Sequence, residues 1–222
     1  MRFIETASLS KISSFLDQVD VGDSVVCGDL CLYSCVLAGL DKMLSRSLDE
    51  EIQSSSPSTP RNIGPLTDAA SRRTLVYLIL TLNHTYPDYD FSVLRAQHFR
   101  MEPSIASIQE TLETNLMEVS KVWEETPECE KSFLETLWGS IDEVIGLSNC
   151  DVFSYKTDVD SDLFTDEGVL WSHNYFFHNK QKKKIVFFSC RGTSKARKSG
   201  AIGYDSDDPS ETDYGMAQDM DV

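Results

Sequence analysis

The chain has 222 residues, of which 41% are hydrophobic and 10% are aromatic, so it can build the core of one domain of ordinary size. Its 36 acidic residues outnumber its 20 basic residues, which gives a formal net charge of −16. Proteins that bind nucleic acid on their own normally present excess positive charge to the phosphates, so we expect no sequence-specific DNA binding. No apolar run is long enough to cross a bilayer and no secretory signal is recognisable, so we expect a protein of the cytosol or nucleus without a membrane partner.

The first part of a single globular domain is predicted over residues 1–41. Apolar residues at helical spacing from Leu9 to Val19 predict a short helix, and the alternating pattern over 24–37 predicts a strand. Residues 42–66 are rich in Ser and Pro and poor in large apolar side chains. Because such a segment buries too little surface to offset its ordering entropy, we expect a flexible insertion within the domain.

The remainder of the globular domain is predicted over residues 67–192. Helical periodicity predicts three helices, which are expected at about 67–82, 103–123 and 128–147. For the first segment, its β-branched content leaves a strand as the weaker alternative. Alternating or doubly apolar segments predict four further strands, at 89–100, 150–156, 171–179 and 184–191. Together these elements indicate an α+β fold with a mainly antiparallel five-stranded sheet packed by helices.

Residues 193–222 are predicted to form a disordered tail that is basic first and acidic last. Seven acidic and no basic residues lie between Asp205 and Val222, so this stretch carries −7 of the net charge and the rest of the chain carries −9.

The most informative segment is a predicted antiparallel hairpin over 171–191, with two apolar arms and a basic connection. Phe176 and Phe177 are apolar on opposite faces of the first arm, which indicates a sheet covered on both sides. We expect four aromatic side chains of the hairpin to be buried: Tyr175, Phe177, Phe187 and Phe188. Four lysines are expected to project from its tip as a positive field: Lys180, Lys182, Lys183 and Lys184.

The cysteine and histidine residues form no recognisable catalytic motif. Cys27, Cys31 and Cys35 are four residues apart, which suits either a metal or redox site or small apolar residues on one core face. Because no second ligand pair accompanies them, the core alternative is favoured, and no cofactor or metal is predicted. Two alternatives stay open: an enzyme with a pocket assembled from dispersed Cys, His and Asp residues, and a nucleic-acid-binding module that uses the lysines.

Three blocks of the sequence resemble the eukaryotic Maf-one family of repressors of RNA polymerase III transcription. The first runs from MRFIET to YSCVLAGLDK (1–42), the second contains RRTLVYLILTLN and PDYDFS (72–92), and the third is LWSHNYFFHNKQKKKIVFFSCR (170–191). A short Ser-rich insertion and an acidic C-terminal tail also match the pattern of that family. One departure is His178, which stands where a tyrosine is common.

The resemblance implies a non-enzymatic regulator that shuttles between cytoplasm and nucleus. It implies binding to RNA polymerase III near its clamp and interference with assembly with TFIIIB at tRNA and 5S rRNA genes. It also implies that nutrient-responsive protein kinases phosphorylate the protein and thereby oppose repression, and that regulatory phosphatases remove these phosphates.

Candidate functional residues follow from these patterns. The charged residues expected to bind partner proteins are Asp88, Asp90, Asp158, Asp160, Asp162, Lys182 and Lys183. The residues expected to act in nuclear import are Lys180, Lys182, Lys183 and Lys184, with Lys195, Arg197 and Lys198 as a second basic group. The predicted phosphorylation sites are Ser45, Ser47, Ser56 and Thr59.

Overall fold

A computed structural model describes residues 1–54, 69–127, 129–155 and 168–195. These residues form six helices: α1 (Ala7–Phe15), α2 (Leu40–Ser54), α3 (Ala69–Thr85), α4 (Ile105–Asn115), α5 (Met117–Glu124) and α6 (Phe133–Ile145). They also form seven strands: β1 (Arg2–Phe3), β2 (Val19–Asp20), β3 (Ser24–Ser34), β4 (Phe99–Met101), β5 (Asp151–Tyr155), β6 (Val169–Asn179) and β7 (Lys184–Ser194).

All seven strands belong to one antiparallel sheet. Its order is β1-β3-β7-β6-β5-β4, and β2 pairs separately with β3. The predicted α+β fold with a mainly antiparallel sheet is therefore confirmed. The count of five strands is too low because β1 and β2 are two residues long, which is too short to leave an alternating pattern.

The predicted hairpin is the centre of the sheet. β6 pairs with β7 in a register that sets Phe176 opposite Phe187 and Asn179 opposite Lys184. β7 in turn pairs with β3 along the whole length of both strands, so Ser34 also lies opposite Lys184. The two long pairings make β7 the central strand, which explains why both faces of the hairpin are apolar.

Each face of the sheet is covered by a separate hydrophobic cluster. Phe177 and Phe188 point to the cluster that α1, α4, α5 and α6 complete, whereas Phe176 and Phe187 point to the cluster that contains α3 and Leu48 of α2. The expected burial of the hairpin aromatics is confirmed, because the exposed fractions of Tyr175, Phe177, Phe187 and Phe188 are 7%, 0%, 1% and 0%.

The helices differ from the predictions mainly at their ends. The helix predicted over 103–123 is two helices, α4 and α5, which are separated at Leu116 (φ −103°, ψ 12°). The helix predicted from residue 128 begins at Phe133, because the side chains of Ser132 and Glu135 form a reciprocal capping box there.

The strand predicted at 89–100 is wrong except at its end. Turns and a short 3-10 segment at Ala96–His98 precede the three-residue strand β4. Local hydrogen bonds hold these turns: the Ser92 backbone N–H donates to Asp90 Oδ1 at 2.9 Å, and the Phe91 N–H donates to Asn83 Oδ1 at 2.8 Å. A backbone that is satisfied locally has no need of a partner strand.

The first part of the segment predicted as a flexible insertion, 42–66, belongs to a helix. Helix α2 covers residues 42–54 of it and packs against α3 through Leu48, whose exposed fraction is 1%. The remaining predicted residues, 55–66, lie outside the described part of the chain, as do residues 196–222 of the predicted tail. None of the described helices combines the length and the apolar character that a membrane span needs.

Candidate functional site

The basic connection of the hairpin is a four-residue turn, 180–183, anchored to the end of helix α6. The Asn179 side chain, which is 1% exposed, donates to the Ile145 carbonyl at 2.8 Å and accepts from the Lys182 N–H at 2.9 Å. Lys183 has a φ of 53°, an unusual value for a residue with a side chain, and its carbonyl accepts from the Cys35 N–H at 2.8 Å. The turn is therefore fixed by contacts with two other segments.

The three lysines of this turn and Lys184, the first residue of β7, have different surroundings and do not form one uniform tip. Lys180 forms an ion pair with Asp151 at 2.8 Å, and Lys184 is half-buried within β7. The ammonium of Lys182 lies beside Gly146 at the C-terminal end of α6, where the helix dipole favours a cation. Lys183 faces the opposite side, toward α2 and α3.

A cavity of about 560 Å³ lies on that opposite side, between the hairpin turn, α2 and α3. Among the described residues, the lining contains five basic side chains and no acidic one. The basic residues are Lys42, Arg46, Arg73, Lys180 and Lys183. The rest of its lining is formed by Cys35, Val36, Leu37, Ser45, Thr74, Tyr77 and His178. A local field of this sign stands out on a chain with a net charge of −16.

His178 forms part of the cavity wall and is 3% exposed. Burial lowers the pKa of its imidazole to about 4, with help from the nearby charge of Lys180, whereas Asp151 acts in the opposite direction. The imidazole is therefore neutral near pH 7. Its Nδ1 atom is buried and has no hydrogen-bond partner among the described residues. The ring of Tyr77 meets the imidazole edge-on, with 5.8 Å between the ring centroids.

Cys35 and His178 line the same cavity, which is the arrangement expected if an enzyme used dispersed cysteines and histidines. Burial raises the pKa of the Cys35 thiol to about 12 while that of His178 is lowered. Both pKa shifts favour the neutral thiol and the neutral imidazole, whereas cysteine enzymes need a thiolate and an imidazolium. Cys31 is also buried, with its pKa raised to about 12, and no group of three His, Cys, Asp or Glu residues in the described segments could hold a metal ion.

Of the acidic candidates, the structure describes Asp88 and Asp90, and neither lines the cavity. Asp88 and Asp90 are exposed and follow the C-terminal end of α3, whereas Arg73 and Tyr77 of the same helix line the cavity. Hydrogen bonds from Ser92 lower the pKa of Asp90, so this carboxylate also holds its own turn. The other predicted acidic contacts, Asp158, Asp160 and Asp162, lie outside the described residues.

The predicted phosphorylation sites are only partly described. Ser45 and Ser47 lie on α2, where Ser45 is half-buried in the cavity lining and Ser47 is exposed. Ser56 and Thr59 lie outside the described residues. The basic residues Lys42, Arg46 and Arg73 were missed, although the four-residue spacing of the first two on a helix could have placed them on one face.

Comparison with known proteins adds a decisive observation, since the model of the Maf1 regulator family matches residues 26–189. The chain belongs to the Maf1 regulator family. The matched range includes all the residues that line the cavity and most of the central hairpin.

Relatives within the Maf1 family cover nearly the whole chain. A Dictyostelium discoideum protein named repressor of RNA polymerase III transcription is 32% identical, over 94% of this chain and 91% of its own. A Schizosaccharomyces pombe protein named repressor of RNA polymerase III transcription maf1 is also 32% identical, over 95% and 90% of the two chains. A crystal structure of citrus MAF1 shares 41% identity and a TM-score of 0.71, over 85% of this chain and 99% of the citrus chain.

These Maf1 relatives confirm both the resemblance and the fold predicted from the sequence. The Maf1 family is a family of transcription repressors and not of enzymes, so the protein is a negative regulator of transcription.

Proposed function

We propose that this protein represses transcription by RNA polymerase III by binding the polymerase and preventing its productive assembly with TFIIIB at tRNA and 5S rRNA genes. The observation that carries the proposal is the alignment with two named repressors of RNA polymerase III transcription over nine tenths or more of every chain involved. The fold agrees with action through a protein surface, because both faces of the sheet are filled by the chain's own helices.

The charge of the protein favours a protein partner over promoter DNA. With a net charge of −16, the whole molecule is repelled by nucleic acid at long range, whereas charges of both signs on its surface can orient it on a large complex. Asp88 and Asp90 are exposed at one end of α3, and Lys182 is exposed at the hairpin turn, so these residues are available for contact.

A reconstituted transcription assay tests the proposal. Purified RNA polymerase III, TFIIIB and a tRNA gene are mixed with increasing amounts of this protein, and a template transcribed by RNA polymerase II serves as the control. We expect a fall in tRNA transcripts, an unchanged control, and capture of RNA polymerase III by the immobilised protein. Undiminished tRNA synthesis without capture would contradict the proposal.

A charge-reversal pair tests the lysine contact. Lys182→Glu changes an exposed residue of the hairpin turn, and Lys121→Glu makes the same change on α5, where the side chain is 62% exposed and pairs with Glu118. We expect the first variant to bind RNA polymerase III several-fold more weakly and the second to bind as the unchanged protein does. Equal binding by both variants would remove Lys182 from the contact surface.

We propose that phosphorylation by protein kinases, reversed by phosphatases, opposes repression. Ser47 is exposed on α2 and its phosphate would add nearly two negative charges to that surface. We expect Ser47→Glu to repress tRNA transcription less than Ser47→Ala in the same assay. The corresponding pair at Ser45 tests the half-buried site, and equal repression within both pairs would reject control through α2.

Movement between nucleus and cytoplasm belongs to the same proposal. The basic residues Lys182 and Lys183 are exposed in the hairpin turn and accessible to an import receptor. We expect a fluorescent fusion with Lys182→Ala and Lys183→Ala to accumulate less in the nucleus than a fusion with Arg100→Ala and Lys121→Ala. Identical distributions would assign import to another segment.

A further inference from the structure

The cavity between the hairpin turn, α2 and α3 gathers positive charge that the described residues neutralise only at Lys180. Lys180 has a carboxylate partner in Asp151, but within the described residues no ion pair is formed by Lys42, Arg46, Arg73 or Lys183. These four residues come from α2, α3 and the turn, so the fold, not a run of sequence, brings them together. Placing like charges around one cavity is unfavourable unless an anion shares it.

The cavity wall also contains a hydrogen-bonding group that no other described residue satisfies. Within the described part of the chain, the Nδ1 atom of His178 is buried without a partner, which is uncommon in folded proteins. The hydroxyl-bearing residues Ser45, Thr74 and Tyr77 belong to the same lining. A ligand in this cavity would therefore meet polar groups as well as cations.

We propose that this cavity is a binding site for a small, multiply phosphorylated anion. Arginine presents a planar fork of donors that matches phosphate oxygens, and lysine adds a compact charge, so the pair Arg46 and Arg73 with Lys42 and Lys183 suits phosphate groups. A volume of about 560 Å³ is in the range of sites for small organic ligands and exceeds the need of one inorganic ion. Four cations without an ion-pair partner among the described residues match a ligand with several negative charges.

Isothermal titration calorimetry of the full chain with sodium tripolyphosphate tests the site. The cavity variant is Arg46→Ala with Arg73→Ala, and the matched control is Arg100→Ala with Lys121→Ala, which removes the same charge from exposed positions that do not line the cavity. We expect the unchanged protein and the control to bind one tripolyphosphate with affinities within a factor of two. We expect the cavity variant to bind at least tenfold more weakly while circular dichroism shows the same fold.

Three results would overturn the proposal. These are no binding by the unchanged protein, equal losses in the cavity variant and the control, and binding that disappears when sodium sulfate replaces sodium chloride at the same ionic strength. Two competitors test macromolecular occupants: a synthetic peptide of residues 205–222, which carries seven acidic side chains, and a single-stranded oligonucleotide. If either binds at least tenfold more tightly than tripolyphosphate and loses that affinity in the cavity variant, the site belongs to that competitor instead.

Discussion

At the scale of single residues, Gly192 shows how tightly the central sheet is packed. It lies opposite Trp171, and a Cβ atom added to it would be 2.6 Å from Trp171 Cε2 and 2.7 Å from Nε1. Neither atom belongs to a flexible chain end, so the indole or the strand must shift. We expect Gly192→Ala to lower the free energy of unfolding by about 1–3 kcal/mol, measured by urea denaturation.

Gly139 provides the matched control for that substitution. It is exposed within α6, and an added Cβ atom would meet nothing within 4 Å. Because alanine stabilises the interior of a helix more than glycine does, Gly139→Ala is expected to raise the free energy of unfolding by about 0.5–1 kcal/mol. Destabilisation of similar size by both changes would show that contact with Trp171 is not the cause.

The lowered pKa of His178 predicts that the stability of the fold depends on pH. Its pKa in the folded protein is about 4, below its ordinary value of 6.5, so between these values the unfolded chain binds the proton more readily. The folded state should therefore lose stability as the pH falls through this window, by as much as about 3 kcal/mol from this residue. We expect His178→Phe to weaken that loss in urea denaturation series at pH 7, 6, 5 and 4.

The charged neighbours of His178 remain in that variant. In the unchanged protein, Lys180 lowers the pKa of the His178 imidazole and Asp151 raises it. Burial also lowers the pKa of a second histidine on the same strand, His173, which could add to the acid dependence. His173→Gln is therefore the comparison that separates the two histidines. An acid dependence that is identical in the unchanged protein and in His178→Phe would exclude a contribution from His178.

At the scale of elements, Leu48 is the one fully buried side chain among residues 41–50 of α2, which also contacts the N-terminus and His84 through Asp41. Leu48 is 1% exposed and joins the cluster on α3, whereas most other described side chains of α2 are half-buried or exposed. We expect Leu48→Ala to speed amide hydrogen exchange over residues 40–54 and to lower the free energy of unfolding by up to about 3 kcal/mol.

Met43→Ala is the control on the same helix, because Met43 is 68% exposed. It should leave amide exchange in α2 and the urea midpoint almost unchanged. If exchange over α2 stays slow in Leu48→Ala, the helix is held by other contacts than the one at Leu48.

Elements with strong burial were predictable from the sequence, and elements with little burial were not. The hairpin was found because Phe176 and Phe177 face opposite clusters, which makes consecutive positions apolar. The sequence of α2 predicts a flexible insertion because, among residues 41–50, Leu48 is the one fully buried side chain, and its neighbours include many Ser and charged residues. The segment before β4 contains aromatic residues typical of strands, but its hydrogen bonds to Asn83 and Asp90 are local.

At the scale of the whole molecule, one sheet couples two hydrophobic clusters. Neighbouring residues of β7 alternate between them, with Phe187 in the α3 cluster and Phe188 in the opposite one. The three tryptophans all lie in or against the cluster of Phe188. Because the strands are shared, we expect Phe187→Leu to shift the urea midpoint of tryptophan fluorescence about as far as Phe188→Leu does.

Circular dichroism at 222 nm provides the second probe for that prediction. Its midpoint should coincide with that of tryptophan fluorescence in the unchanged protein and in both variants. Separate midpoints, or a Phe187→Leu variant whose tryptophan transition does not move, would mean that the two sides unfold independently.

The candidate site could be predicted only in part, because it is a property of the assembled molecule. The lysines of the turn are adjacent in sequence, so Lys180 and Lys183 were identified as functional candidates. Arg73 is more than 100 residues from Lys183 along the chain, and only the packing of α3 beside the hairpin turn brings both to one cavity. The spacing of residues along the sequence does not show which distant residues the fold brings together.

The position of Ser45 has a consequence for any kinase that acts on it. Its side chain shares a wall with Lys42, Arg46 and Arg73, so a phosphoryl group attached there would acquire counterions from its own chain. Such a group would tether α2 to α3 electrostatically and would occupy space that an outside anion needs. Modification at this serine would thus act as a covalently attached competitor, its local concentration fixed by the fold.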